Sequence, residues 1–432
     1  MTILKHIMSM AALLACAAPA AAGTFTPKAY VKAVLEASPS MRKAEQAFRQ
    51  AENSYKSVLL DAALPSFTLS LGETFYDQGD PRLRLEREDV TSSLAAAWNL
   101  YDSAGSPLSK VKTARLDYEA AKLAFLTAKQ AEALKALNRF YALYSTQKRV
   151  GTSKLNLASR ERQYKDTNEQ YQSGTRSRMQ VTQSEGDKLQ GELSLAQAEV
   201  AEAKARMAFN ELINAEPEAE QLIEVSTQAA SLALPLPKSD AAKALTNNFS
   251  LRQQRLALER TRITNRNSVM ANYPRLRVDA GWRKTGLGLI GEPVGPGAGN
   301  PSYSLGASLS FPFGFFGLQN YLDISAAGAA LRSAELELEN SERALKTSVL
   351  SAQKDIEYQV KSQQMIEFQV KAQKETTENL MSEYSLGGAD FLQLDIAQNK
   401  MLDASNSQIA AVNDLDLALA NYRVLLGERV WE

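Results

Sequence analysis

His6 is the only histidine in this 432-residue chain, and Cys16 is the only cysteine. Imidazole is the side chain that titrates nearest neutral pH, and a thiolate is the usual sulfur nucleophile and soft metal ligand. Both residues sit in a segment that reads as removable. Lys5 and His6 make a basic start, and residues 7–18 are apolar but too few to span a bilayer as a helix. Ala20, Ala21 and Ala22 fit an A-x-A cleavage site, so residues 1–22 read as a signal peptide. The chain left after cleavage would have no imidazole base, no thiol and no disulfide. It also has no phosphate-cradling glycine loop and no G-x-S-x-G elbow. Carboxylate or lysine chemistry is all that remains. No enzyme activity, cofactor or metal site is expected. In a competing reading, Leu13 to Cys16 is a loose lipoprotein signal, and Cys16 is retained and acylated.

Charge excludes another class. The 49 basic residues balance the 49 acidic ones, whereas an electrostatic nucleic-acid binder needs a basic face. No nucleic-acid partner is expected.

The elements available to position functional groups occur twice. Tyr171 to Val181 matches Tyr384 to Leu394, with Gly174 and Gly387 lying 213 positions apart. A unit this long is a duplicated half-domain and not a solenoid repeat. The expected organisation is a first repeat over 23–214, a joining segment over 215–239, a second repeat over 240–427 and a tail over 428–432. Each repeat reads as helix, two strands, very long helix, glycine turn and return helix. The helices are expected from about Pro27 to Leu60, Ser106 to Tyr171 and Arg178 to Asn214. In the second repeat they run from about Asp240 to Asn272, Leu318 to Ser385 and Asp390 to Leu426.

Four windows alternate with period two. Phe67, Leu69, Leu71 and Phe75 alternate with small polar residues, as do Val90, Leu94 and Trp98. Leu276, Val278 and Trp282 form the third set, and Tyr303, Leu305, Leu309 and Phe311 the fourth. The aromatics Phe67, Phe75, Trp98, Trp282, Tyr303 and Phe311 stand near the ends of the apolar faces. A half-buried sheet of a soluble core alternates in this way, and so does a membrane barrel with lipid outside and water inside. Export and strand count favour the barrel. Four strands cannot close one, and an open edge in lipid leaves backbone groups unpaired. Copies would have to share it: two give eight strands and three give twelve.

The long helices each hold roughly 66 residues, or about 100 Å at 1.5 Å per residue. Their seams are rich in alanine: Ala114, Ala121, Ala124, Ala128 and Ala131 in one, Ala326, Ala327, Ala329, Ala330 and Ala334 in the other. An ordinary coiled coil with a solvated face would show the same pattern.

At this point the chain resembles the TolC-like outer-membrane efflux protein family. The resemblance rests on the duplicated Tyr-x-x-Gly turns (Tyr171/Gly174 and Tyr384/Gly387) and on Leu394 to Gln398. It also rests on the closing Ala420 to Gly427 and on Ser310 to Phe313. It implies a mainly α fold with a small β part: a homotrimer with a twelve-stranded β-barrel on an α-helical tunnel in the periplasm. The partners implied are outer-membrane lipid, a periplasmic adaptor and an inner-membrane pump of RND, ABC or MFS type. Matching the turns places Gly174 and Gly387 at the periplasmic tips that gate the tunnel. Arg176, Arg178, Gln180, Gly388, Asp390 and Gln393 stand beside them. Where the best-known members carry Asp six and nine residues after the turn glycine, this chain has Gln393 and Ile396, and Gln180 and Gln183 in the first repeat. Asp395 is displaced by one position, about 100° around the helix. An acidic ring at the constriction is therefore not expected.

The function implied is an outer-membrane channel of a tripartite efflux or type I secretion system, a passive duct opened by adaptor or pump binding. The alternative is a structural periplasmic coiled-coil envelope protein or adhesin without a channel. It explains the helices but not four amphipathic strands.

Overall fold

The computed structural model describes residues 24–77, 86–101, 107–224, 239–271, 273–285, 301–311, 318–385 and 388–431. Residues 1–22 with Cys16, the stretch 225–238 and Gly387 lie outside the described residues, as does the side chain of Phe75.

Eight helices are described: α1 Pro27–Ala37, α2 Pro39–Ala63, α3 Pro107–Gln172, α4 Arg178–Leu212, α5 Asp240–Asn247, α6 Phe249–Met270, α7 Leu318–Ser385 and α8 Phe391–Leu425. The strands are β1 Thr24–Phe25, β2 Ser66–Asp77, β3 Glu86–Tyr101, β4 Leu222–Ile223, β5 Arg275–Thr285 and β6 Pro301–Ser310. The protein is thus mainly helical with a small sheet. Pro107 starts α3 at the first helical position, where its missing N–H is no loss.

Two helices expected to be continuous are broken. Pro39 pushes Ser38 out of the helical region (ψ 127°), ending α1 and restarting the chain as α2. The Ser38 hydroxyl donates to Glu132 Oε1 at 2.7 Å. The matching break in the second repeat uses a different device: Asn248 caps α6 by accepting from the Leu251 N–H at 3.1 Å. The joining segment also contains a strand that sequence did not suggest. β4 pairs in parallel with β1, Thr24 opposite Leu222 and Phe25 opposite Ile223.

The chain forms two compact units that each draw on both repeats. One comprises residues 1–42, 128–247 and 346–432; the other comprises 43–127 and 248–345. The core of the first gathers Tyr30, Val31 and Val34 of α1 onto Ala133, Ala136, Leu137 and Phe140 of α3 and Phe209 of α4. Tyr30 stacks on Phe209 with ring centroids 3.8 Å apart, and its hydroxyl donates to the Phe209 carbonyl at 2.8 Å. Burial raises the Tyr30 pKa and keeps the phenol a donor. Asp240 of α5 accepts from the Tyr422 hydroxyl at 2.7 Å and from Lys243 at 2.8 Å, and Gln353 Nε2 donates to the same Tyr422 oxygen at 2.9 Å. The Tyr422 hydroxyl thereby joins α8 to α5 and α7.

The second unit holds the sheet, ordered β2-β3-β5-β6 and antiparallel throughout. Register puts like with like. Leu69, Leu94, Trp282 and Tyr303 form one row across the sheet, and Phe67, Ala96, Ala280 and Leu305 form another. The adjacent row, on the opposite face, is Thr68, Ala95, Gly281 and Ser304. Among the described residues, β2 and β6 are the edges of this sheet. Helix packing in this unit includes Phe48 against Tyr118 and Phe125, with centroids 5.5 and 6.0 Å apart. Arg255–Glu342 and Arg260–Asp117 ion pairs tie α6 to α7 and to α3. None of the alanines expected in the seams is buried: Ala124, Ala131, Ala326, Ala329 and Ala330 are exposed and the others half-buried, whereas Ala133 and Ala136, outside those seams, are fully buried. Among the described residues no helix is long and apolar enough to cross a membrane.

Candidate functional site: the two helix-ending turns and the sheet

The first turn is closed by its own backbone. Thr175 N–H donates to the Gln170 carbonyl at 2.9 Å, and Gly174 N–H to Tyr171 at 2.9 Å. This is the paired closure of a Schellman end. It needs a left-handed residue, and Gly174 supplies it with φ +80°. Ser177 then opens α4 with a capping box: its hydroxyl accepts from the Gln180 N–H, and Gln180 Oε1 accepts from the Ser177 N–H at 3.1 Å. Gln180 is therefore held by local structure. Arg178 and Tyr171 are exposed.

The second turn repeats the backbone and changes the side chains. Gly388 N–H donates to the Glu383 carbonyl at 2.9 Å, the counterpart of Thr175 to Gln170. Asp390 sits at the N-cap of α8 and makes no side-chain cap hydrogen bond. Instead Tyr384, Ala389, Phe391 and Leu394 form a buried apolar cluster supported by Leu380 and Met381. Gln393 is exposed.

Contacts join the two turns. The Tyr384 hydroxyl lies 3.0 Å from Thr167 Oγ1, and the Arg176 guanidinium sits 4.7 Å above the Tyr384 ring. Arg176 Nε also donates to Gln170 Oε1 at 2.9 Å. Farther along the helices, Arg160 of α3 is buried among carboxylates. It approaches Asp187 Oδ1 at 3.8 Å and Asp395 Oδ1 at 3.7 Å, and donates to Asn399 Oδ1 at 2.8 Å. Burial raises the Asp187 pKa, and the neighbouring Asp395 adds to the rise, while Arg160 opposes it. Gly191 permits this approach, since a Cβ there would lie 3.2 Å from Arg160 Cδ and 3.3 Å from Leu157 Cδ1.

The structure thus brings Gly174, Arg176 and Gln180 into one turn, and Gly388, Asp390 and Gln393 into the other. It sets Asp395 apart from both, against Arg160. The partners Arg160, Thr167 and Asp187 were not anticipated. They lie in long helices, where sequence spacing does not say which face a neighbouring helix covers. Among the described residues no group of three or more His, Cys, Asp or Glu could hold a metal ion.

On the sheet, Phe67, Tyr303 and Phe311 are exposed, Tyr303 by four-fifths. Trp98 is 43% exposed and Trp282 half-buried. Leu69, Leu71 and Leu305 are also more than two-thirds exposed. Leaving one such side chain in water forgoes about 1.5–3 kcal/mol. A continuous face of them calls for lipid or another apolar cover.

Residues 241–428 match the family model described as outer membrane efflux protein. Over that stretch the sequence is similar to outer membrane efflux proteins. The resemblance first carried by the duplicated turns is matched by that family model over residues 241–428; over the rest of the chain the likeness is one of fold. The outer-membrane channel OprN is similar at 18% identity and TM-score 0.78, covering 94% of this chain and 91% of that one. CusC, described for its folding and transmembrane channel formation, gives 13% identity and TM-score 0.80, with coverage of 93% and 92%. The outer membrane protein VceC of Vibrio cholerae gives 15% identity and TM-score 0.76, with coverage of 93% and 96%. At such identities these likenesses are of fold. No curated protein matches the chain.

Proposed function

We propose that the protein is the outer-membrane exit duct of an efflux or type I secretion assembly. Three copies share one twelve-stranded barrel in the outer membrane, and their helices form a periplasmic tunnel. A periplasmic adaptor and an inner-membrane pump engage it. Its mechanism has no chemical step. The helix ends at Gly174 and Gly387, with Arg176, Arg178, Gln180, Gly388, Asp390, Gln393 and Asp395, form the tip region. A partner that binds the open tips better shifts their equilibrium toward opening. Residues 1–22 are the export signal in this reading, 23–214 and 240–427 are the repeats, and 215–239 joins them.

One observation carries the proposal: a four-stranded antiparallel sheet with two unpaired edges and one exposed apolar face. In lipid such edges must be satisfied, and the β2 edge of one copy against the β6 edge of the next does so in a closed ring. The edges of one chain are three strand spacings apart, about 14 Å, too far for a disulfide. Cysteines at Thr68→Cys and Ser304→Cys, or at neighbouring β6 positions to allow for register, should therefore join separate copies. The expected product is a covalent trimer in outer-membrane fractions. Monomer alone at every register would overturn the proposal.

A further inference from the structure

The polar face of the sheet carries a one-sided charge. In the described part of β5, alternate residues from Arg275 to Arg283 put Arg275, Arg277, Asp279, Gly281 and Arg283 on that face. The register sets Ser310, Ser308, Gly306, Ser304 and Ser302 of β6 opposite them. On the other side β3 contributes Ala97, Ala95 and Ser93 opposite Asp279, Gly281 and Arg283, and β2 continues these rows with Ser66, Thr68 and Ser70. Within these five rows the formal charge stands on β5 alone, three arginines against one aspartate. Arg275, Arg277 and Arg283 are exposed. Asp279 lies across the missing side chain of Gly306, where a Cβ would come within 2.9 Å of its Oδ2. Gly281 keeps the centre of the strand low, since a Cβ there would meet Ser304 Oγ at 2.8 Å.

We infer that this face lines the barrel interior as a basic girdle that draws in anionic solutes and passes anions in preference to cations. The inference rests on the shared barrel proposed above and names the class of solute that the barrel favours. Each chain contributes a net of two positive charges, and three chains contribute six. They fall at two levels: Arg275 and Arg277 near the helical end, and Arg283 six residues farther, about 20 Å along the strand. A water-filled passage with low-dielectric walls focuses the field of such charges. Arginine stays charged at any accessible pH, and its planar fork suits carboxylate and phosphate groups. Small residues on the neighbouring strands leave the guanidinium groups room to project. The preferred solutes are therefore anions and organic molecules bearing carboxylate or phosphate.

The test is the reversal potential of the purified full-length protein in planar bilayers under a potassium chloride gradient at low salt. The expected wild-type potential has the sign of chloride preference. The Arg277→Gln/Arg283→Gln double variant should lower the chloride-to-potassium permeability ratio several-fold. The Arg277→Lys/Arg283→Lys variant should keep it, and Asp279→Asn should raise it. At about 1 M salt, where screening reaches about 3 Å, the preference should fade. Should the double variant fail to assemble, each single Arg→Gln variant should show part of the same shift. A cation-preferring wild type, or a ratio that none of these substitutions moves, overturns the girdle while leaving the duct standing. Inserted protein with no conductance at all removes the pore on which both readings depend.

Discussion

The two helix-ending turns share one backbone design and differ in how they are held. Both close with a hydrogen bond from a residue just beyond the helix to a carbonyl five positions back, Thr175 to Gln170 and Gly388 to Glu383. The first turn then relies on local devices: a glycine at φ +80°, a serine cap and a glutamine that completes the capping box. Its tyrosine, Tyr171, is exposed. The second turn has an acidic residue at the cap that bonds no helix N–H, and relies on burial of Tyr384, Phe391 and Leu394. Both turns keep that closing hydrogen bond, and the side chains have divided the work. One turn is stiff by itself, and the other depends on what packs around it. In the tip proposed above, the second turn is the place expected to move, because its order is lost when its neighbours shift.

Substitutions can break this contrast. Tyr384→Ala empties a fully buried aromatic position and should cost about 3–5 kcal/mol, whereas Tyr171→Ala at the matching exposed site should stay within about 0.5 kcal/mol. Chemical denaturation of the two variants in detergent measures the difference, and equal effects would erase the distinction. Gly174→Pro should be the most disruptive change in the first turn. It forbids the positive φ and removes the N–H bonded to Tyr171, so export should fall while assembly persists, as an efflux assay with a trimer assay would show. Normal efflux would remove Gly174 from the tip. Ser177→Ala should cost about 1 kcal/mol through loss of the cap. Asp390→Ala should cost only a few tenths, because no cap bond is lost. Amide exchange at the first turns of α4 and α8 distinguishes the two.

A smaller effect is tied to pH. Burial of Asp240 opposes its ionisation, yet hydrogen bonds from Lys243 and Tyr422 outweigh burial and hold the carboxyl below its ordinary value of 3.8. The folded state therefore favours the ionised form. The resulting stability is present above about pH 4 and is lost as pH falls through the lowered folded value. The acid limb of the melting curve should be shallower in Asp240→Asn than in the wild type. An unchanged acid limb would remove the carboxylate from that role.

Much of the architecture was legible in the sequence. Period-two alternation located all four strands of the larger sheet, and the absence of proline between Pro107 and Gln172 marked the longest uninterrupted run of the first half of the chain. Pro39 marks the break at Ser38, which the single helix expected from Pro27 to Leu60 ran through. The equivalent break at Asn248 has no proline to mark it. The β1–β4 pair is only two residues per strand and joins segments nearly two hundred positions apart, so no local pattern encodes it. In the first turn, Gly174 was legible because positive φ is a backbone demand. The partners of Asp395 were not, because Arg160 is buried only through the helices that happen to cover it. Gln180 was expected as a tip residue. Its hydrogen bonds show a cap, a role readable from Ser177 three positions earlier.

The mass of the particle extracted from outer membranes in mild detergent, measured by native mass spectrometry, tests the shared barrel most directly. Three copies of the chain per particle is the expected result. A single copy, soluble without detergent and recovered with periplasmic proteins, would contradict it.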